Sequence, residues 1–418
     1  MARYRLHRSV IGWALYDWAN SAFALSVVTV FFPVLLAEFW SEGVDSTVTT
    51  FRLGMANGIA SLIVAVSAPL LGAIADRMSR RKGLLCLLAA LGIVMTGALF
   101  FVAQGQWPIA VACYVLASIG FAGSNSLYDS LLVDVTAPAS FHQISALGFG
   151  LGYLGGSLLF MLNVWMVSSP VTFGLGSEIE AIRLAFILVA IWWLVFSLPL
   201  LLWVHERKEL HEHRSIRDGI RQFVDTFREI RLDRNLVLFL IAYWLYIDGV
   251  YTIIKMAVDF GLSQGLSMQD LVRAILVTNL VGFPAALLFG RLGQSVGAKT
   301  GLFIGIGIYF VITVSAVFLT TALEFYVLAA CIGLVQGGVQ SLSRSLFARL
   351  IPADRSASYF GFYNMLGKFS AVLGPVLIGF VALSFGSQRL GILSIILLFA
   401  LGLALLARVN PEPPARPV

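Results

Sequence analysis

Apolar residues run along this chain in blocks of about twenty, each long enough to cross roughly 30 Å of hydrocarbon as an α-helix. The blocks begin near Val10, Leu53, Leu84, Pro108, Ile144, Ile182, Leu236, Leu271, Leu302, Phe325, Tyr359 and Leu390. They predict about twelve membrane spans, and so an all-α polytopic membrane protein. One stretch breaks the pattern. From His205 to Asn235 the chain reads HERKELHEHRSIRDGIRQFVDTFREIRLDRN, and Ile216, Ile220, Phe223, Phe227 and Ile230 recur there at helical spacing on a charged background. This predicts an amphipathic surface helix joining two groups of six spans. The expected organisation is a six-helix domain over residues 1–204, a linker over 205–233, a second six-helix domain over 234–409 and a Pro-rich, disordered tail over 410–418.

Composition supports the class, because 59% of the 418 residues are hydrophobic and only 12% are charged. The formal charge of +6 could suit nucleic acid, but its distribution reads as membrane topology, so no nucleic-acid partner is expected. With the N-terminus in the cytoplasm, about twenty of the Lys and Arg residues fall on that face. The opposite face holds Arg52, Arg183, Arg273 and Arg389 among the acids Glu42, Asp45, Glu178, Glu180, Asp270 and Glu324. Both termini and the linker are therefore expected to be cytoplasmic. MARYRLHRS enters a span too long and too polar for a cleavable signal peptide. Cys86, Cys113 and Cys331 lie within predicted spans and serve as small apolar residues. His205, His211 and His213 could hold a metal, but nothing fixes a coordination geometry, and a solvated charge run explains them.

The chain also repeats itself. GSNSLYDSLLVDV, Gly123 to Val135, recurs as GVQSLSRSLFARL, Gly338 to Leu350, about 215 residues later (344 minus 129). In this register Asn125 falls on Gln340, Asp129 on Arg344 and Asp134 on Arg349, so two acids face two bases. Such a duplication marks a transporter whose halves face each other across a central axis.

After the second span comes GAIADRMSRRK, with Gly72, Asp76, Arg77, Arg80, Arg81 and Lys82 in a tight turn. A positive-inside loop would explain the bases but not the glycine and acid at that spacing. The segment resembles the signature loop of the major facilitator superfamily, and GRLGQSVGAK is a decayed copy with Gln294 in place of the acid. WALYDWANSAF (Trp13 to Phe23), WLYIDGVYTI (Trp244 to Ile253) and GLVQGGVQSLSRSLFARLIP (Gly333 to Pro352) followed by FGFYNMLGKFSAVLGP (Phe360 to Pro375) resemble the vacuolar amino-acid effluxer family and its bacterial relatives. The resemblance implies the major facilitator fold, two six-helix bundles with pseudo-two-fold symmetry. It also implies a bacterial inner membrane, efflux of amino acids in the fungal branch, and a charge relay at the signature loop. Asp134 is expected there as the partner of Arg80.

In that fold the first, fourth, seventh and tenth spans line the cavity. The first and seventh share a Trp followed one helical turn later by an Asp, Trp13 with Asp17 and Trp244 with Asp248. Asn20 and Ser21 extend the first stripe, Tyr251, Thr252 and Lys255 the second. The fourth and tenth carry Asn125 and Asp129, and Gln336, Gln340 and Arg344, at i, i+4 spacing. A charge at mid-membrane costs roughly 2.5 to 3.5 kcal/mol on insertion scales, so these residues are expected to face a partner or water. A structural ion pair between the halves is the plainer reading, a substrate or gating role the sharper one. Lys368, with Asn364 one turn before it, is the other deep cation, whereas Lys255 is placed to snorkel outward beside Asp259. GLGYLG (Gly150 to Gly155) has dinucleotide-binding spacing but no preceding strand, and with Gly148 and Gly156 it reads as a helix-packing stripe. GLSQG (Gly261 to Gly265) lies in a loop of a helical protein and is no nucleophile elbow.

The expected activity is secondary active transport of a small solute, an amino acid or similar zwitterion, by alternating access and without cofactor or enzymatic step. No nucleotide-binding motif is present, so the energy is expected to come from a gradient, with protons as the expected coupling ion. Asp17 and Asp248 are candidate protonatable groups, Arg344 and Lys368 candidate holders of a carboxylate. Efflux of amphiphilic or drug-like compounds against an aromatic lining of Trp13, Tyr16, Trp244 and Tyr246 is the alternative. A non-transporting receptor or scaffold is disfavoured by the cost of the membrane charges. The working unit is expected to be a monomer in the lipid bilayer.

Overall fold

The computed structural model describes residues 7–206, 216–263, 265–319, 321–370 and 373–411, and within them the chain is helical with no strand. Twelve helical segments are long and apolar enough to cross a membrane. Spans 1 to 6 are Arg8–Trp40, Ser46–Arg77, Arg81–Phe101, Trp107–Val135, Pro138–Ser168 and Glu178–Trp203. Spans 7 to 12 are Arg234–Ala257, Met268–Val296, Ala298–Ala316, Ala322–Leu350, Ala353–Phe385 and Arg389–Ala407. Between the two sets the linker helix runs from Ile216 to Leu232. His211, His213 and the tail beyond Pro411 lie outside the described residues.

Each set of six packs into a bundle, and the starts of spans 1, 3 and 7 share one end of the molecule with the linker helix and the end of span 12. Asn235 Nδ2 donates to the carbonyl of Asn410 at 2.9 Å. Lys82 Nζ donates to the carbonyls of Leu201 and Val204, and Lys299 Nζ to those of Ala407 and Val409. We call this the terminal end and its opposite the far end. Spans 2, 6, 8, 10 and 12 begin at the far end, each with a capping side chain on the backbone. Asp45 receives Thr47 N–H, Ser177 receives Glu180 N–H and Ser387 receives Leu390 N–H. Ser267 with Asp270, and Thr321 with Glu324, form full capping boxes. The acids crowding the far loops thus include first-turn residues beside the positive ends of helix dipoles.

Two spans depart from simple helices. Span 1 is α-helical to Ala22, then winds as π-helix over Phe23–Phe31 and again over Leu36–Trp40. Span 11 is interrupted: one helix ends at Phe369, Ser370 is extended, and a second runs from Leu373 to Phe385.

Inside lipid there is little hydrophobic drive between helices, so close packing rests on small residues. The glycine stripe of span 5 receives span 1: a Cβ on Gly152 would lie 2.6 Å from Ser21 Oγ, and one on Gly155 would lie 2.4 Å from the Trp18 ring. Spans 3 and 4 meet at Gly120, where a Cβ would fall 2.5 Å from the amide nitrogen of Gly92 and 2.6 Å from the carbonyl oxygen of Leu88. Both are backbone atoms of the neighbouring helix, which cannot rotate away. Gly120→Ala is therefore expected to lower stability by about 1–3 kcal/mol, as overpacking does in other tight interiors. An unchanged melting temperature of the detergent-solubilised protein would contradict this packing.

Candidate functional site between the bundles

The repeated helices bring their opposite charges together. From span 10, the Arg344 guanidinium reaches across the bundle interface to Asp129 of span 4 at 2.9 Å and Asp17 of span 1 at 3.6 Å. Its Nε and Nη2 donate to the hydroxyl and backbone carbonyl of Ser145 in span 5. Its carbon centre lies 4.3 Å from the Phe149 ring centroid and 4.8 Å from that of Trp13. The acids are held in turn: the Tyr128 hydroxyl donates to Asp17 at 3.0 Å, and Asn364 Nδ2 of span 11 donates to Asp129 at 3.1 Å. Trp13 Nε1 donates to the carbonyl of Tyr128, on which its ring stacks. Only 2% of Arg344 is exposed. Two carboxylates thus share one guanidinium, and with both ionised the cluster keeps one negative charge in excess.

Local sequence explains this convergence. Span 5 approaches closely because Gly148 stands opposite the cluster; a Cβ there would lie 2.8 Å from both Asp17 Oδ2 and the Tyr128 hydroxyl. Ser145, Tyr128 and Phe149 were not singled out in the sequence. The signal for Ser145 was its place one helical turn before Phe149 and three residues before the glycine stripe.

A cavity of about 360 Å³ opens on the far side of this cluster and draws lining from both bundles, including Ser21, Tyr153, Tyr251, Asn279, Gln336 and Gln340 amid mostly apolar side chains. The Tyr153 hydroxyl donates to Gln340 at 2.9 Å, and Arg344 lies one helical turn, about 5.4 Å, beyond Gln340 towards the terminal end. The ion cluster therefore sits beneath the cavity floor. The π-wound part of span 1 contributes Ala24, Leu25 and Thr29 to the wall. π-Helical turns recur at functional sites because they offset the register of a helix.

Other expected residues lie elsewhere. Asn20 and Asn125 pair with each other at 2.7 Å. Trp13, Tyr16 and Tyr246 are fully buried, and the Tyr246 hydroxyl bonds Ser343. Trp244 is half-buried and is not part of the cavity wall. The cavity's tyrosines are Tyr153 and Tyr251, because helix packing turns the expected aromatic stripe into the bundle cores. Asp248 does not join Asp17. It is buried within the second bundle, accepting from the amides of Leu373 and Gly374 and from the Thr252 hydroxyl, and so caps the second helix of span 11. Lys368 is half-buried on the last turn before the interruption, and among the described residues it forms no hydrogen bond or ion pair. Lys255 is exposed near the far end, while the side chain of Asp259 lies outside the described set.

At the terminal end the signature loop closes the interface. Asp76 accepts from the amides of Ala357 and Ser358 and from the Ser358 hydroxyl, capping the first helix of span 11. Gly72 allows this contact, since a Cβ would lie 2.1 Å from the carbonyl oxygen of Ala357. The base in the relay is Arg81 rather than Arg80. Arg81 lies 3.4 Å from Asp76 and 3.1 Å from Asp134, and it donates to the Ser356 hydroxyl. Arg80 is exposed at the non-helical N-cap of span 3, after a turn with Ser79 at positive φ, so its side chain leaves the interface. Arg77 is half-buried, and its Nε has no hydrogen-bond partner among the described residues. Nor does Arg349 face Asp134: it is exposed beside His142, at 3.3 Å. The polar contacts that join the bundles here, Arg81–Ser356, His142–Ser345, Asp129–Arg344 and Tyr153–Gln340, run from this end up to the cavity floor, so the terminal end is shut and the bundles part over the cavity.

Two bundles of six spans, closed at one end around a buried ion cluster and parted over a cavity at the other, define a membrane transporter of the major facilitator type. The comparisons make the assignment narrower. The profile of the family described as "Vacuole effluxer Atg22 like" matches residues 42–414, and the chain belongs to that family. It is 36% identical over 408 residues to an uncharacterized MFS-type transporter, YxiO, of Bacillus subtilis, covering 96% of this chain and 94% of that one. It is 24% identical over 443 residues to the autophagy-related protein 22 of Eremothecium gossypii, covering 90% and 85%. With several other fungal proteins of that name the match spans only about half of their length. The fold is shared with the human organic anion transporter MFSD10 at a TM-score of 0.75 and 16% identity, over 97% of this chain and 100% of that one.

The three-part cluster sets the order of damage on neutralisation. Arg344→Gln leaves two buried acids without their base, and breaking such a pair costs about 3–5 kcal/mol. Asp129→Asn leaves Arg344 balanced by Asp17 and is expected to be mild. Asp129→Asn added to Arg344→Gln should restore part of the folded yield, and Asp17→Asn added again should restore more. Additive losses across the series would show that these groups do not meet. Gly72→Ala tests the closed end: its clash lies only with the opposite bundle, so the fold should survive while distances between spin labels on spans 2 and 11 lengthen. No change in those distances would contradict the closure described above.

Proposed function

We propose that the protein moves an amino acid or similar zwitterion out of a bacterial cell, driven by the proton gradient and working as a monomer. The observation that carries this reading is the Asp17–Arg344–Asp129 cluster beneath the cavity floor. A proton, or the ammonium group of a bound solute, removes its excess negative charge, and the cluster spans the two bodies that must separate during alternating access. Residues 1–204 and 234–409 are the two rocking bodies, joined by the linker 205–233. Asn20, Asn125, Gln336, Gln340 and Asn364 supply uncharged polar contacts around this path. Lys368, uncommitted among the described residues, is the candidate anchor for a carboxylate once the bundles rearrange. Asp76, Arg81 and Asp134 latch the terminal end, which the one-sided placement of Lys and Arg assigns to the cytoplasm. The family description as an effluxer supports the direction, and the Bacillus relative supports a bacterial plasma membrane.

The mostly apolar cavity wall favours one second reading, efflux of an amphiphilic compound. A thermal-shift screen of the purified protein separates the two, since a ligand held at a hundredfold its dissociation constant stabilises by about 2.7 kcal/mol. Amino acids should raise the melting temperature, and a response to amphiphilic anions alone would select the second reading. Coupling is tested in proteoliposomes. Asp17→Asn or Asp129→Asn should keep substrate exchange but lose accumulation driven by a pH gradient. Asp248→Asn, which weakens a helix cap, should lower stability without selectively uncoupling. Gradient-driven accumulation that survives in both cluster variants would remove protons from this site.

A further inference from the structure

The linker helix presents three sectors around its axis; the bundles cover the first and only the edge of the second, where the half-exposed Phe227 ring lies 6.1 Å from that of Phe362. On the packed sector, a Cβ at Gly219 would touch Ile74 of span 2 at 2.8 Å, and Phe223 stacks on Phe362 of span 11. Gln222 donates to the Ser358 hydroxyl, and Glu229 accepts both arms of Arg355 at 2.9 and 2.7 Å. These partners fix its level. Ile74 lies within span 2, before its last residue Arg77, and Phe362 lies within the helix Ser356–Phe369. The linker helix therefore lies against the bundle wall, level with the last turns of the spans, and not beyond their ends. In a bilayer that is the interfacial layer.

At about 100° per residue, the next sector carries Ile220, Val224 and Phe227, with Arg231 at its C-terminal end, and the one after it Arg221 and Arg228. The apolar trio is 48%, 39% and 50% exposed. The three arginines are exposed too, and among the described residues none of them forms a hydrogen bond or ion pair. Asp225 is the exposed acid on the same side, so basic charge predominates. An apolar strip running between a bundle wall and a row of guanidinium groups matches the order of acyl chain and phosphate at a membrane surface.

We propose that this outer flank of the linker helix is a docking surface for an anionic phospholipid leaflet. Ile220, Val224 and Phe227 enter the acyl boundary, while Arg221, Arg228 and Arg231 meet headgroup phosphates. The inference requires no substrate, gradient or direction of transport. Its test uses the full-length protein with Cys86, Cys113 and Cys331 replaced by Ala and a bimane fluorophore attached through Val224→Cys, reconstituted in phosphatidylcholine vesicles. Nitroxide-labelled phosphatidylglycerol should quench at least about twofold more than nitroxide-labelled phosphatidylcholine at equal mole fraction, because basic residues near the surface attract anionic lipid. R221Q/R228Q/R231Q should abolish that preference. Should this variant fail to fold, Asp225→Arg, which leaves the three arginines in place, should raise the preference. Quenching by aqueous iodide and by neither lipid would put the flank in water, as for a soluble partner, and overturn the proposal. Equal quenching by the two lipids would overturn it as well.

Discussion

A charge in low dielectric is tolerated only when surrounding groups replace water, and Arg344 imposes that demand on the whole interface. Its second bundle does not meet it. The partners come from spans 1, 4 and 5 of the first bundle, with Asn364 of span 11 holding Asp129 from the other side. Bringing Ser145 and Phe149 within reach requires span 5 to lie close to span 1, and the glycine stripe from Gly148 to Gly156 makes that possible. The cavity floor follows from the same arrangement, since Gln340 stands one turn from Arg344 and is bonded by Tyr153. Pairing of charge, close packing and cavity position are thus consequences of one buried cation.

The interrupted span 11 follows a related rule. A broken helix exposes a second set of amide donors, and here each segment begins against a carboxylate from another span. Asp76 of span 2 caps the first segment across the interface, and Asp248 of span 7 caps the second within its own bundle. The two caps therefore have different mechanical meanings. The first ties the two bundles together at the terminal end, whereas the second keeps half of span 11 attached to span 7. The fixed contacts inside each bundle, such as Gly120 against Gly92, press backbone on backbone. Between the bundles, close backbone approaches at Gly72 against Ala357 and Gly361 against Pro69 are joined by hydrogen bonds and ion pairs that other partners or water can replace.

Twelve spans, the linker and its amphipathic face were legible from periodicity, because the hydrocarbon thickness fixes the length of an apolar run and helical spacing marks a surface helix. The repeat of Asp129 on Arg344 was legible too, since duplication leaves equivalent positions in register and unpaired charges in a membrane demand each other. The signature loop was read at the right place with the wrong base. Arg80 and Arg81 are adjacent, and only the turn through Ser79 decides which of them points inward. Sequence spacing likewise put Asp248 beside Trp244 on one face but could not show that a broken helix would present its amides to that acid.

By itself, then, the sequence determined what repeats along a line: span number and length, the membrane class, the duplicated polar stripes and the family that carries them. Tertiary structure alone decided that Asp17 and Asp129 share Arg344, that Trp13 and Tyr16 are buried while Tyr153 and Tyr251 line the cavity, and that span 1 winds as a π-helix beside it. The physical reason is that periodicity specifies which face of a helix is polar. The partner that face meets depends on helix approach, set by glycines and turns far apart in the chain.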